Sequence, residues 1–179
     1  AGKGNVDSFV LNVRRLLNQN KVDEAIEECD KQEGSVGNVV REGLTTYKAL
    51  AHDSAMNKEQ KMVALNKSIE EATTLEMPML EKNMMILSTL GTVATLVALL
   101  GTVIGMIKAF SALGSGGGTP DSSALSVGIS EALINTALGI GTSAVAIILY
   151  NYFTSKIDGL TFKIDEIAMS IQQSFAEFH

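Results

Sequence analysis

Residues 125–153 read LSVGISEALINTALGIGTSAVAIILYNYF, and Glu131 is the one charged residue among them. The run is long enough to cross a bilayer as a helix, since about 20 apolar residues span a hydrocarbon core about 30 Å thick. A carboxylate is expensive in that position. Insertion scales start at about 2.5–3.5 kcal/mol for a charge at the centre of a spanning helix. Residues of this kind usually face a bundle interior or a water-filled path and often handle ions or protons.

A second apolar run precedes it. Asn83 to Ile107 holds no charge over 25 residues, or about 37 Å of helix at 1.5 Å per residue, enough to span with some tilt. Beyond Glu131, Ala132 to Ser155 is a further charge-free stretch of 24 residues. Both runs are too long for soluble strands. Between them, Ser115-Gly116-Gly117-Gly118-Thr119-Pro120-Asp121 is a turn signal. Thr119 or Asp121 can cap the following helix, with Pro120 in its first turn. The expected arrangement is an antiparallel hairpin of two membrane helices, residues 83–110 and 125–155, joined by a loop at 111–124. Lys67 and Lys82 flank the first span and Lys156 and Lys163 follow the second, whereas the connecting side holds only Lys108. That excess predicts both ends in the cytoplasm and the loop outside. Phe110, Tyr150, Tyr152 and Phe153 are placed for the interfaces.

Composition changes abruptly at this boundary. The chain has 179 residues, of which 46% are hydrophobic, and its mean hydropathy is +0.21. Residues 1–83 are charged, whereas residues 84–155 carry only Lys108, Asp121 and Glu131. The net charge of −6 and the absence of a basic cluster argue against nucleic-acid binding. Arg14–Arg15 reads as a solvated helix face. Cys29 is the only cysteine, so no internal disulfide is available, which suits a reducing compartment. His52 and His179 are far apart and no metal spacing exists, so neither a metal nor another cofactor is expected. Ala1–Asn5 is small and polar and reads as no signal peptide.

Residues 1–82 are expected to be helical. Val6, Phe9, Val10, Val13, Leu16 and Leu17 follow the helical period, as do Val22, Ala25, Ile26 and Cys29, then Val36, Val39, Val40, Leu44 and Tyr47. A fourth helix begins near Asn57 with Met62, Leu65, Ile69 and Ala72, and runs towards the first span through Pro78, a kink or break. Residues 156–179 carry Leu160, Ile164, Ile167 and Ile171 at helical spacing and extend the second span as an amphipathic cytoplasmic helix. These stripes read as helix–helix packing. No nucleophile–base pair, phosphate loop or metal cluster is visible, so an enzyme is not expected.

Polar and small residues in the spans carry what chemistry there is. Thr89, Thr92, Thr95 and Thr102 lie on the first, although threonine hydroxyls often bond back to their own helix. Gly101 and Gly105 form a GxxxG pattern, and Ala137 and Gly141 repeat small-xxx-small on the second span. Such patterns permit close helix approach, here expected inside an assembly. Glu131, Asn135 and Thr142 share one face of the second span, with Thr136 and Ser143 on an adjoining face. Together they are expected to form one polar sector facing protein or water.

The stretch Leu90–Phe110, LGTVATLVALLGTVIGMIKAF, resembles the second membrane helix of the ExbB/TolQ/MotA proton-channel family. Gly128–Gly139, GISEALINTALG, resembles its third. The likeness covers most of residues 80–155 and is to the ExbB branch, with residues 1–80 similar to the family's cytoplasmic helical insert. The resemblance implies an all-α membrane protein of the bacterial inner membrane, with long transmembrane helices and cytoplasmic helical extensions, that assembles into a homopentameric helical ring. It implies an ExbD-like single-span partner inside the ring, whose aspartate is proton-linked, and use of proton motive force to drive a TonB-like protein. Glu131, Thr136 and Thr102 are then the proton-pathway residues and 111–124 a periplasmic loop. The family usually has a further span at its start. That span is absent here, so Ala1 would begin just inside the cytoplasm. Two other readings stand beside this one: a TolQ-like subunit with a different envelope partner, and a non-conducting membrane scaffold. The cost of Glu131 weighs against the scaffold.

Overall fold

A computed structural model of the chain describes residues 4–114 and 122–178, and every regular element among them is an α-helix. The six helices are α1 (Val6–Asn18), α2 (Val22–Gln32), α3 (Gly34–His52), α4 (Lys58–Glu81), α5 (Met84–Gly114) and α6 (Ser122–Phe178). They form two compact units. One comprises residues 1–82 with 155–179, and the other residues 83–154. The Gly/Pro-rich stretch Ser115–Asp121, with the expected caps Thr119 and Asp121, lies outside the described residues.

Local chemistry sets the helix ends in the first unit. The Asn5 side chain caps α1 by accepting from the Asp7 amide at 2.9 Å. Asn57 and Gln60 form a reciprocal capping box at the start of α4, at 2.8 and 3.1 Å. Between α2 and α3 the chain turns through Glu33 and Gly34, with φ of 52° and 79°, a left-handed pair that costs Gly34 little. Pro78 does not stop α4. It lies in the final turn, where one missing amide donor interrupts little, and the helix ends at Glu81, with Lys82 and Asn83 between it and the start of α5.

The apolar stripes of α1–α4 close on one core that includes Val13, Leu17, Val40, Leu44, Tyr47 and Leu65. The C-terminal part of α6 completes it with Ile164, Ile167, Ile171 and Phe175, each no more than 2% exposed. Burying a side chain of this size contributes about 1.5–3 kcal/mol. At Gly43 the helices approach so closely that an added Cβ would lie 2.9 Å from Ile69. Around the core, Arg14 bonds Ser170 at 3.0 Å and pairs with Glu166 at 3.3 Å. Lys163 bridges Asp7 and Glu166, and hydrogen bonds to those two carboxylates hold its ammonium above the usual lysine range.

The second unit is an antiparallel helix pair. Its most apolar 18-residue windows are only 6% and 22% buried within the chain, so these helices are not the core of a water-soluble domain. Leu96, Val97, Leu138 and Ile148 are among the many large apolar side chains left exposed. Such a surface requires lipid or other helices around it.

Candidate functional site: the polar seam and flank of the hairpin

Small residues bring α5 and α6 together. On α5 the seam runs through Gly91, Ala94, Ala98, Gly101, Gly105 and Ala109, and on α6 through Gly128, Ala132, Asn135, Gly139, Ser143 and Ala146. Added Cβ atoms report the contacts. At Gly105 one would lie 3.3 Å from Ala132, at Gly128 2.6 Å from Ala109, and at Gly139 2.1 Å from Ala98. At Gly91 one would lie 3.0 Å from Ile147. Gly101 and Gly105 of the GxxxG pattern therefore sit in the seam. Gly141 meets nothing within 4 Å, and Ala137 is exposed. Gly128, Gly139 and Ser143 are packing residues beyond those that the GxxxG and small-xxx-small patterns point to. The signal for them is the spacing of small residues by three and four along both runs, which places all of them on one stripe of each helix.

Thr102 and Thr136 meet across this seam. Their hydroxyl oxygens are 2.5 Å apart. Thr102 also donates within reach of the Ala98 and Ala132 carbonyls, at 3.0 and 3.2 Å, and Thr136 within reach of Ala132 at 3.3 Å. Each hydroxyl has one proton and two lone pairs. One threonine therefore donates to the other, and the accepting threonine donates its own hydrogen bond to a backbone carbonyl. The pair can run in either direction without moving a heavy atom. One turn pair further along, the Ser143 hydroxyl bonds the Gly91 carbonyl.

Glu131 lies elsewhere. At about 100° per residue, taking Gly139 as the direction facing α5, Thr136 and Ser143 fall on one side of the seam. Glu131, Asn135 and Thr142 fall on the other. The contacts agree: Thr136 meets Thr102, whereas the Asn135 amide lies by Gly101, 3.5 Å from where its Cβ would be. The same construction on α5, taking Ala98 as the direction facing α6, puts Thr102, Thr95, Ser88 and Thr92 on the Thr136 side. Lys108 falls on the Glu131 side. Glu131 is exposed and has no hydrogen bond or ion pair among the described residues. The polar sector expected as one face is thus split by the seam into a hydroxyl flank and an acid flank. Thr89 and Thr142 bond back to their own helices at 2.8 Å each.

No group of three or more His, Cys, Asp or Glu side chains that could hold a metal ion occurs among the described residues. An open groove of about 600 Å³ runs along the hydroxyl side of α5, lined by Thr102, Val103, Met106, Ile107 and Phe110 with Ser111.

Comparison with known proteins bears on what this arrangement is. Residues 31–166 match the model of the MotA/TolQ/ExbB proton channel family. An ExbB-like biopolymer transport protein of Synechocystis is 32% identical over 113 residues, 63% of this chain and 54% of that protein. The biopolymer transport protein ExbB of Xanthomonas campestris is 31% identical over 112 residues, 63% of this chain and 44% of that protein. The Tol-Pal system protein TolQ of Pseudomonas aeruginosa is 28% identical over 131 residues, 72% and 55% of the two chains. The chain spans about half the length of these relatives. A family match over most of the sequence, together with two exposed apolar helices of spanning length, identifies the chain as a membrane protein belonging to the MotA/TolQ/ExbB proton channel family.

Proposed function

We propose that this chain is the channel-forming part of a proton-channel subunit in an inner-membrane motor. The motor uses proton motive force to energise TonB-dependent outer-membrane transport. The observation that carries the reading is Glu131, a carboxyl without a hydrogen-bond or ion-pair partner among the described residues, on a helix otherwise apolar enough to span a bilayer. A carboxyl can take up and release one proton. Each charge crossing the membrane supplies about 2.3 kcal/mol per 100 mV, enough to bias a rearrangement of a few kcal/mol. Thr102 and Thr136 supply a hydroxyl pair that can reverse its donor direction beside the path.

In this reading residues 1–82 and 156–179 are cytoplasmic, 83–110 and 125–155 cross the membrane, and 111–124 is periplasmic. Five copies form a ring around an ExbD-like single-span subunit, and the complex drives a TonB-like protein. Gly101, Gly105, Ala137 and Gly141 are packing positions within and between copies. The ExbB relatives support the TonB-linked role. A TolQ-like role in envelope maintenance is the second reading, supported by the TolQ relative, whose match covers 72% of this chain.

Glu131→Ala and Glu131→Gln are expected to abolish TonB-dependent uptake with protein level and oligomer size unchanged, and Glu131→Asp to retain part of it. Full uptake by both Glu131→Ala and Glu131→Gln would turn the assignment to a non-conducting scaffold. Loss of envelope integrity with normal uptake in a deletion strain would turn it to the TolQ-like role.

A further inference from the structure

Glu131 and the Thr102–Thr136 pair cannot line one common face of a single hairpin, because the seam separates them. We infer that the site is completed between copies: the Glu131 carboxyl of one chain enters the Thr102–Met106–Phe110 groove on the hydroxyl flank of the next. This rests on the reading that copies assemble in one membrane.

Height is the first support. Ala132 packs on Gly105 and Gly128 on Ala109, so the antiparallel register places Glu131 level with Met106. The groove runs from Thr102 to Phe110 on the opposite flank and is centred at that same height. Symmetry is the second support. Copies that share one topology cannot be related by an axis lying in the membrane plane, which would invert one of them. They are related by rotation about the membrane normal, which keeps every residue at its own depth. The two flanks are unlike, so the contact is head-to-tail, the kind that closes into rings. Chemistry is the third. The acid flank projects a carboxyl that has no hydrogen bond or ion pair among the described residues, and the groove is a mostly apolar trough with the Thr102 hydroxyl at one end. A polar group held away from water needs such a partner. A proton passing through Glu131 would therefore meet the hydroxyl pair of the neighbouring chain rather than its own.

The test places Glu131→Cys and Met106→Cys together in a Cys29→Ala background, with the protein in native membranes. Oxidation should give a ladder of covalent dimers and larger species from the double variant and nothing from either single variant, since only unlike positions meet. Within one chain the two positions point away from each other across the seam and cannot be bridged. Dimers from Glu131→Cys alone, or an intact oligomer by native mass spectrometry with no ladder, would overturn the inference while leaving the channel reading in place. A monomer by native mass spectrometry in nanodiscs would overturn both. A second measurement co-expresses Glu131→Gln chains with Thr102→Val chains. Mixed rings then contain some contacts in which Glu131 and Thr102 are both intact. Proton flux above that of either variant alone is expected, and flux no greater than the better variant would place the site within one chain. If neither variant alone lowers flux, the channel reading fails, whereas the ladder still decides the contact.

Discussion

Gly139 lies against Ala98 with no room for a side chain: a Cβ there would sit 2.1 Å from the Ala98 Cβ and 3.1 Å from the Ala94 carbonyl oxygen. The hairpin closes at this point because a side chain is missing. Gly139→Leu should therefore separate the helices and break the Thr102–Thr136 contact, with an overpacking cost of about 1–3 kcal/mol or more. Gly141→Leu, at a position with nothing within 4 Å, should leave the hairpin closed. Spin-label distances between the exposed positions Val93 and Val145 would report a longer separation for the first variant only.

Thr136→Val keeps the shape and removes the hydroxyl 2.5 Å from Thr102. Hydrogen bonds between membrane helices average about 0.6 kcal/mol, so the protein should assemble normally and melt within a few degrees of the parent. Proton flux in vesicles should fall well below the parent value. Thr136→Ser, which restores the hydroxyl, should recover most of it. Equal flux from the valine and serine variants would remove the hydroxyl from the path.

Tyr47 and Phe175 stack edge to face, with ring centroids 4.9 Å apart, and both are buried. Phe175→Ala should destabilise the helical unit of residues 1–82 and 155–179 by about 3–5 kcal/mol. Hydrogen exchange should then accelerate across α3 and the end of α6 together, because the ring joins them. Phe178→Ala, at a position 39% exposed, should change stability by under about 0.5 kcal/mol. Faster exchange confined to α6 would mean that α3 does not depend on the C-terminal segment.

Cys29 is 2% exposed and donates to the Ala25 carbonyl at 3.2 Å. Burial, assisted by the neighbouring Asp30 carboxylate, pushes its thiol up to about 12. The native protein should resist maleimide at neutral pH and label fully in denaturant. A raised folded value means that the native state keeps its proton longer than the unfolded chain. Stability should be unaffected by this group below about pH 9 and should fall as pH rises towards about 12. Comparing denaturation midpoints with Cys29→Ala isolates the effect, since the variant lacks that part of the alkaline loss.

Much of the architecture could be read directly along the chain. A 25-residue gap in charge from Asn83 leaves few choices for a segment that must satisfy its own backbone in lipid, and a helix is the open one. The stripes Val6–Leu17 and Leu160–Ile171 announced buried faces because helical periodicity is local. Glu131 stood out because a charge among apolar neighbours is costly wherever the chain goes. Which buried face meets which is not local. That Phe175 covers Tyr47, that Gly139 receives Ala98, and that Thr136 turns inward to Thr102 while Glu131 turns outward each depend on register and rotation between segments distant in sequence. Residues five apart on α6, read as parts of one polar sector, end on opposite sides of a seam, because 3.6 residues per turn leaves Glu131 and Thr136 about 140° apart and the packing of small residues decides where α5 lies between them.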